Sequence, residues 1–425
     1  MTEPRYLLGW AAVSKVRGLA SPSDYAWNVN LNDGNVNRNH QTNHNQVRAV
    51  RAGECHEAVS FSALRRAWHA ARRGKQPSCD QFAFDAQWID GLLDLERRLK
   101  AGSWEPPPPT CFIATAPKAR EIHAPAFADR VVHHWLVPQL EAVYEPIFIH
   151  DSYSNRRGKG THAAVGRLRS FVRQVQSGQG GGWYLQLDIA NFFNRIHRPT
   201  LYALLKARME RDCLPVAVRQ AVHALLRRPV SHAGVRYMGT DAERAQVPPH
   251  KRLENAPAGC GIAIGNLSSQ FLANVYLNEL DQFVKHTLQA PRYLRYVDDF
   301  VLVHHDLEQL VSWRHQIEAF LRDRLRLELK ADVRLRPLEA GIDFLGYVVF
   351  PRHTLVRRRV VGHARGKLRE WERRHVRRGR ATRDRAAREG LRAVWASYLG
   401  HFLHANCHRL LVRFAARFPW LQEVV

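Results

Sequence analysis

The sequence is poor in cysteine and in long hydrophobic runs. The six cysteines among 425 residues lie far apart, without a C-x-x-C pair or a Cys/His spacing typical of zinc sites; they are Cys55, Cys79, Cys111, Cys213, Cys260 and Cys407. This scatter argues against a zinc site and against a disulfide framework, and it predicts a reducing compartment. No apolar run approaches the roughly 18 residues that span a bilayer. The short run at residues 7–13 lacks the flanks of a signal peptide, so we expect a cytoplasmic protein.

Acidic residues are also scarce relative to basic ones. The chain has 39 Asp and Glu against 64 Lys and Arg, which gives a net charge of +25. An excess of this size predicts a polyanionic partner, with nucleic acid first and an anionic membrane surface second. Hydrophobic residues make up 45% of the chain, which is ordinary for a globular protein, and the length allows two or three domains. From residue 357 onwards we predict very basic helices that follow a phosphate backbone.

The stretch at residues 295–303 contains two adjacent aspartates, Asp298 and Asp299, between two runs of aromatic and β-branched residues. This pattern predicts a strand, a tight turn and a second strand, with both carboxylates at the tip. Adjacent carboxylates repel each other and lose hydration when they are buried, and a divalent cation relieves both costs. Taken alone, an Asp-Asp pair is also typical of a solvated hairpin turn.

A third carboxylate follows another strand. The run at residues 183–188 is apolar except for Gln186, and it ends in Asp188. If this strand is a neighbour of the aspartate hairpin in one sheet, the three carboxylates can converge on two divalent ions about 3.5–4 Å apart. Such a site supports in-line phosphoryl transfer, in which positioning and electrostatics supply most of the catalysis.

Two basic segments are candidates for holding the phosphates of a nucleotide. Lys118 and Arg120 lie at a basic turn between two short predicted strands. Arg157 and Lys159 lie in a glycine-bearing loop that enters a helix, where loop amides and the helix N-terminus favour an anion. For this second segment alone, a solvated basic loop is an equally good interpretation.

Taken together, these motifs resemble the reverse transcriptase family over roughly residues 56–425. Tyr296-Val297-Asp298-Asp299 is similar to the Y-x-D-D box of that family, Asp188 with Phe192 and Phe193 is similar to its first metal-binding motif, and Phe344-Leu345-Gly346 is similar to its primer-grip hairpin. The resemblance implies an α+β right-hand polymerase fold of fingers, palm and thumb, with an antiparallel palm sheet and a basic helical thumb. The activity that it implies is RNA-directed DNA polymerisation.

The resemblance also implies roles for single residues. Asp188, Asp298 and Asp299, with the Ile189 carbonyl, would hold two Mg²⁺ ions or Mn²⁺. Phe193 would exclude a ribose 2′-hydroxyl. Lys330, slightly out of step with the family position, is the candidate general acid for the leaving pyrophosphate. The residues implied to bind the dNTP are Lys118, Arg120, Arg157, Lys159, Phe192, Phe193, Gly265 and Gln270.

The loop at residues 264–270 resembles that of one particular group within the reverse transcriptase family. Most bacterial members carry Q-G-x-x-x-S-P, whereas this chain has Ile264 in place of the glutamine and Gln270 in place of the proline, around Gly265 and Ser269. We refer to this segment as the fidelity loop. I-G-x-x-x-S-Q is similar to the bacterial or phage-encoded reverse transcriptases of diversity-generating retroelements. Those enzymes copy a template RNA with frequent misincorporation opposite adenines, and the mutated cDNA diversifies a target gene.

This narrower resemblance implies particular partners. They are a template RNA, the RNA–DNA duplex, dNTPs and a basic accessory variability protein that forms an oligomeric helical bundle, with no membrane. A retron-, intron- or defence-type reverse transcriptase stays open as an alternative. A catalytically silent RNA-binding scaffold is a further alternative, although it predicts degraded metal ligands, and all three aspartates are present.

We predict four segments along the chain: a leader at 1–52, the fingers and the start of the palm at 56–180, the palm at 181–350, which contains an irregular insertion at 229–258, and the thumb at 351–425. The leader alternates asparagine with small or apolar residues. Asparagine forms helices and strands poorly, so we expect the leader alone to be mobile. It resembles the C-terminal segment of the C-type-lectin-fold targets of these retroelements. Because asparagine codons begin with two adenines, we hypothesise a translated template repeat; a disordered or nucleic-acid-binding leader is the alternative.

Overall fold

The computed structural model describes residues 25–30, 35–40, 59–74, 76–115, 118–229 and 234–424. Its strands are β1 (Tyr25–Asn30), β2 (Asn35–His40), β3 (Thr110–Ala114), β4 (Arg120–Ala124), β5 (Trp183–Asp188), β6 (Arg236–Tyr237), β7 (Tyr293–Tyr296), β8 (Asp299–His304), β9 (Arg334–Pro337), β10 (Ile342–Phe344), β11 (Tyr347–Val349), β12 (Thr354–Val356), β13 (Val376–Arg377) and β14 (Arg380–Ala381). Its helices are α1 (Phe61–Arg72), α2 (Cys79–Ala86), α3 (Trp88–Lys100), α4 (Phe127–Tyr144), α5 (Thr161–Gln179), α6 (Phe192–Arg195), α7 (Arg198–Arg211), α8 (Val216–Arg227), α9 (Asp241–Ala245), α10 (Leu267–Gln282), α11 (Leu307–Leu325), α12 (Arg358–His375), α13 (Arg385–Phe402), α14 (His408–Arg417) and α15 (Leu421–Val424).

A four-stranded antiparallel sheet lies at the centre, in the order β7-β8-β5-β9. Its two middle strands are almost continuous runs of aliphatic and aromatic residues, as expected for strands covered on both faces. The register places Asp188 at the end of β5 directly opposite Asp299 at the start of β8. The strand that carries Asp188 is therefore a neighbour of the aspartate hairpin, which is the condition stated above for a shared site.

The two faces of this sheet belong to different hydrophobic clusters. Leu187 and Phe300 point into a large cluster that includes residues of α4, α10 and α11. Tyr184, three positions before Leu187, and Val301, one position after Phe300, point into a second cluster with α5, β10 and β11. Because side chains alternate along a strand and opposite residues share a face, Asp188 and Asp299 lie on the second face, where the two middle strands end.

The hairpin β3–β4 gains a third strand from the segment that the sequence predicts to be an irregular insertion, residues 229–258. Within it, β6 pairs in parallel with β3, and the carboxylate of Glu121 on β4 accepts a hydrogen bond of 2.8 Å from the amide of Leu253. The insertion is therefore more ordered than expected, since it both extends and covers this small sheet.

The C-terminal helices have a third cluster of buried residues, drawn from 360–424 and centred on Trp395, Phe402 and Phe418. The basic helices predicted here are present, but the predicted continuous run through residues 373–380 is interrupted. α12 ends at His375, and β13 and β14 form a small hairpin whose turn residues Arg378 and Gly379 have φ of 51° and 78°. Two successive residues with positive φ make the turn of a tight hairpin, and glycine adopts this conformation at little cost.

In the leader, the backbones of β1 and β2 pair antiparallel. The period-2 alternation of Tyr, Trp and Val with asparagine suits a strand, and it outweighs the poor strand propensity of asparagine. The remainder of the leader prediction lies outside the described residues. Within the described ranges, no helix combines the length and apolarity needed to cross a membrane.

Candidate active site

The three aspartates meet at one end of the central sheet. β7 ends at Tyr296 and β8 begins at Asp299, so the turn between them consists of Val297 and Asp298 only. Val297 has a φ of 56°, which is rare for a β-branched residue and stores strain of about 1–3 kcal/mol. The amide of Ile189 donates to the carbonyl oxygen of Asp298 at 3.3 Å, and this bond ties the turn to the residue that follows Asp188.

Burial, with crowding as a smaller cause, shifts the pKa values of Asp298 and Asp299. Burial, followed by the negative charge of Asp188, raises the pKa of Asp298 to about 6, against opposing effects of Lys330 and Arg120. Burial also raises the pKa of Asp299 to about 7, although a hydrogen bond from Gln186 lowers it in part. Both shifts mean that ionisation of these two carboxylates costs free energy in the folded protein, and a bound cation would offset that cost.

The donor set fits divalent magnesium. Three carboxylates supply hard oxygen ligands, and one of their oxygens, Asp188 Oδ1, is buried without a hydrogen-bond partner among the described residues. In the arrangement seen here, the described residues include no group of three or more His, Cys, Asp or Glu side chains spaced to enclose an ion. Asp188 Oδ2 instead contacts the Lys330 ammonium at 2.5 Å. The predicted role of the Ile189 carbonyl stays a prediction.

Lys330 therefore lies in the site, as the sequence predicts, but as the ion-pair partner of Asp188. Its backbone amide also donates to the Asp188 carbonyl oxygen at 2.8 Å. Its role as a general acid stays a prediction.

Gln186 is a site residue whose function sequence reasoning missed. Its Nε2 donates to Asp299 Oδ1 and to the carbonyl oxygen of Asp343, each at 3.1 Å. The side chain thus orients the third carboxylate and links it to β10. The available signal was a single polar residue inside an otherwise apolar strand.

The hairpin β3–β4, which the sequence predicts to lie in the fingers, brings positive charge to the carboxylates. Arg120 is exposed at the start of β4 and acts on the Asp298 carboxylate by lowering its pKa. Lys118 is exposed in the turn that precedes it. Arg120 is therefore close enough to the aspartates to act on their charge, and phosphate binding by Arg120 and Lys118 stays a prediction.

The fidelity loop packs directly on β4. The carbonyl oxygen of Ile264 accepts a hydrogen bond of 2.8 Å from the amide of His123. Gly265 has a φ of 122°, and a Cβ at this position would come within 2.9 Å of Ile122 Cγ2. Glycine is thus required here both by the backbone conformation and by the close approach. Further along, Ser269 is buried in α10 and Gln270 is exposed.

The basic loop before α5 has a different arrangement from the one the sequence suggests. Lys159 Nζ donates to the carbonyl oxygen of His150 at 2.9 Å, and Arg157 is exposed. Arg156, which sequence reasoning passed over, binds the Glu145 carboxylate and the carbonyl oxygens of Ile149 and Ser152. The loop is thus held by its own backbone and by Arg156, and phosphate binding by Arg157 and Lys159 stays a prediction.

The aromatic pair after Asp188 lies on the short helix α6. Phe192 is buried, Phe193 is half-buried, and their ring centroids are 5.3 Å apart in a T-shaped arrangement. The Phe193 carbonyl oxygen accepts a bond from the Ile262 amide at 3.0 Å. The backbone of Phe193 is thus anchored five residues after Asp188, and the role of its ring as a sugar gate stays a prediction.

The hairpin β10–β11 contains the three residues predicted as the primer grip. Phe344 is buried in the second cluster, and the turn residues Leu345 and Gly346 have φ of 48° and 88°. Arg357 joins this hairpin to α12, because its amide donates to Gly346 and its guanidinium lies 2.9 Å from Asp343 Oδ2.

Without divalent cations, the free energy of unfolding should fall as the pH rises through the pKa values of Asp298 and Asp299. Since the pKa values of Asp298 and Asp299, about 6 and about 7, exceed their ordinary value of 3.8, the folded state keeps protons that the unfolded chain has lost. This contribution favours folding near pH 4 and is lost as pH rises through 7.

Thermal unfolding in chelator from pH 5 to 8 should show this decline in stability, with a smaller decline in Asp298→Asn. Mg²⁺ at ten times its Kd should restore about 1.4 kcal/mol at pH 8 and less at pH 5. An equal decline in both proteins would contradict this explanation.

Comparison with known proteins agrees with this geometry. Residues 110–349 match the family model described as reverse transcriptase (RNA-dependent DNA polymerase). The group II intron-encoded protein LtrA of Lactococcus lactis subsp. cremoris is 26% identical over 245 residues, which are 56% of this chain and 36% of LtrA. Protein YkfC of Escherichia coli (strain K12) is 23% identical over 303 residues, which are 63% of this chain and 72% of YkfC.

A solved telomerase from Candida albicans, in complex with a fragment of telomeric RNA, is 12% identical with a TM-score of 0.37, over 67% of this chain and 55% of that one. The chain spans about a third of the length of LtrA. The family match and the mixed architecture around an antiparallel sheet confirm the predicted α+β right-hand polymerase fold. Because the matched region is more than half of its length, the chain belongs to the reverse transcriptase family.

Proposed function

We propose that this protein is an RNA-directed DNA polymerase that extends a primer with deoxynucleotides. The observation that carries the proposal is the meeting of Asp188, Asp298 and Asp299 on neighbouring strands, beside an exposed arginine on the fingers hairpin. Two bound Mg²⁺ ions would activate the primer 3′-hydroxyl and neutralise charge on the reacting phosphate. The protein holds those charges in place and offers no nucleophile of its own.

The other residues act by positioning. Arg120 and Lys118 bind the triphosphate, because guanidinium and ammonium groups form charge-assisted hydrogen bonds to phosphate oxygens. Phe193 presents an aromatic edge where the sugar of the incoming nucleotide lies, so a 2′-hydroxyl has neither room nor a hydrogen-bond partner. Gly265 lets the fidelity loop lie flat against β4 beside the nascent base pair.

The remaining segments hold the nucleic acid. In this proposal, residues 56–180 and 181–350 form the fingers and the palm, residues 351–425 form the thumb, and the hairpin at Phe344 supports the primer end. α12 carries an arginine-rich exposed face, which suits the phosphate backbone of an RNA–DNA duplex.

We further propose that the polymerase is adenine-mutagenic and serves a diversity-generating retroelement. Support comes from Ile264 and Gln270, which stand where most bacterial relatives have glutamine and proline. Ile264 is half-buried, and its backbone carbonyl binds His123. Because its side chain is aliphatic, it offers no hydrogen bond that could report correct base pairing. A basic accessory variability protein would be a partner in this setting.

The experiment is primer extension on an RNA template of known sequence, followed by sequencing of the cDNA, with Ile264→Gln as the matched variant. We expect DNA products from the wild-type protein, with errors concentrated opposite template adenines and fewer such errors in Ile264→Gln. Absence of any extension would contradict the polymerase proposal. Extension with errors spread evenly over all four template bases would contradict the retroelement proposal alone.

An intron-type reverse transcriptase is the second candidate, and the similarity to the intron-encoded LtrA favours it. It predicts an accurate cDNA and preferential binding of a structured intron RNA. The error spectrum therefore separates the two candidates.

We also propose that the leader at 1–52 is a translated template repeat and has no role in catalysis. The nucleotide sequence of the gene and its neighbours tests this. A near-copy of the leader that differs almost only at adenines is expected, and the absence of such a copy would contradict the idea.

A further inference from the structure

A completely buried arginine lies directly beneath the catalytic turn. Arg295, on β7, has no exposed surface, and neither does its ion-pair partner Asp281 on α10. The contact is bidentate: Nε donates to Asp281 Oδ1 at 2.8 Å, and Nη2 donates to Oδ2 at 2.6 Å. The Tyr293 hydroxyl donates to Asp281 Oδ1 at 2.7 Å. Burial alone lowers the pKa of Arg295, but the Asp281 carboxylate raises it above its ordinary value, so the guanidinium is charged.

The remaining donors of Arg295 reach three different parts of the chain. Nη1 donates to Asn274 Oδ1 on α10 at 3.2 Å and to the carbonyl oxygen of Val297 at 3.0 Å. Nη2 donates to Ser152 Oγ, in the basic loop, at 3.1 Å. All five N–H groups of the guanidinium are therefore used, and one of them holds the carbonyl of the strained turn residue that precedes Asp298.

Stability alone does not explain this arrangement. Removing two charges from water costs several kcal/mol per ion, and buried ion pairs can often be replaced by apolar residues without loss of stability. A fully satisfied guanidinium does fix geometry, because its planar fork defines the positions of five acceptors at once. The feature that needs such fixing here is Val297, whose positive φ would relax if its carbonyl were free to turn.

We propose that Arg295 is a positioning residue for nucleotide addition: by holding the Val297 carbonyl, it keeps the Asp298 carboxylate close to Asp188, where both can bind the same cation. This rests on the proposed function of the site. It also joins the turn to α10, whose first residues belong to the fidelity loop, so the loop and the carboxylates share one rigid support. Partners that orient metal ligands in this way typically change metal affinity or activity about 10–100-fold when they are mutated.

The test separates positioning from folding with two variants of the full chain. In the apolar variant, Arg295→Met is combined with Asp281→Leu and Tyr293→Phe, so that no charge is left buried and unpaired. The second variant, Arg295→Lys, keeps the charge against Asp281 but has three donors on one atom and cannot form the fork. The matched control is Arg198→Lys, at a buried arginine that donates to the carbonyl oxygens of Leu226 and Arg227 instead.

Three quantities are measured: the melting temperature, the Mn²⁺ dissociation constant by electron paramagnetic resonance, and kcat against KM for one nucleotide addition. We expect both Arg295 variants to bind Mn²⁺ about tenfold more weakly and to lose kcat rather than KM, while Arg198→Lys matches the wild type. A folded Arg295 variant with wild-type Mn²⁺ affinity and kcat would overturn the inference. If the apolar variant does not fold, Arg295→Lys decides by the same criteria.

The Mn²⁺ measurement keeps this inference distinct from the proposed function. A wild-type protein that binds Mn²⁺ but extends no primer would contradict the polymerase proposal, while weaker Mn²⁺ binding in Arg295→Lys would still support the positioning role.

Discussion

Asp298→Asn is expected to lower the rate of nucleotide addition about 10²–10³-fold, the usual cost of removing one preorganised electrostatic contact from an active site. The amide has nearly the shape of the carboxylate but no charge, so it binds a divalent cation weakly. The measurement is single-turnover addition of one dNTP to a primed RNA template at saturating Mg²⁺.

The matched control for this prediction is Asp323→Asn, an exposed aspartate on α11 whose partner is Arg322. This control should keep wild-type rates. The melting temperature of Asp298→Asn at pH 8 in chelator should equal or exceed that of the wild type, because the substitution removes repulsion with Asp188. Full activity of Asp298→Asn would remove the chemical basis of the proposed reaction.

Arg120→Ala is expected to lower kcat/KM for the incoming dNTP about 10–100-fold, because a hydrogen bond to a charged phosphate contributes about 1.5–3 kcal/mol. Most of the effect should appear in KM, since the side chain contacts the triphosphate before and during the reaction. Steady-state kinetics with varied dNTP concentration measures it, and Arg97→Ala, an exposed arginine on α3, is the control. An unchanged KM in Arg120→Ala would mean that the triphosphate is held elsewhere.

Sequence alone located the strands that carry the acids. The strand predicted over residues 183–188 coincides with β5, and the hairpin predicted around Asp298 and Asp299 coincides with β7 and β8. These elements are local: aromatic and β-branched runs interrupted by a short polar turn predict them without any tertiary information. The pairing of β5 with β8 is not local, so the sequence could state it only as a condition for a shared site.

The hydrogen bonds that orient the aspartates could not be predicted either, because their partners are far apart in the sequence. Gln186 was visible as a polar interruption, but its partners Asp299 and Asp343 lie 113 and 157 positions away. Sequence spacing holds no information about such distant hydrogen bonds. Gly379, by contrast, was a local signal for the turn between β13 and β14, which the abundance of arginine around it concealed.

The parallel pairing of β6 with β3 has a consequence for how the molecule is made. The small sheet at residues 110–124 is completed only by a strand roughly 110 residues later in the chain, and closing such long loops slows folding. During synthesis on a ribosome, the hairpin that carries Arg120 therefore waits, with one edge open, until β6 is made, and by then β5 is the single strand of the central sheet that has been synthesised. The two units are interleaved along the chain, and neither can be cut out as a continuous piece.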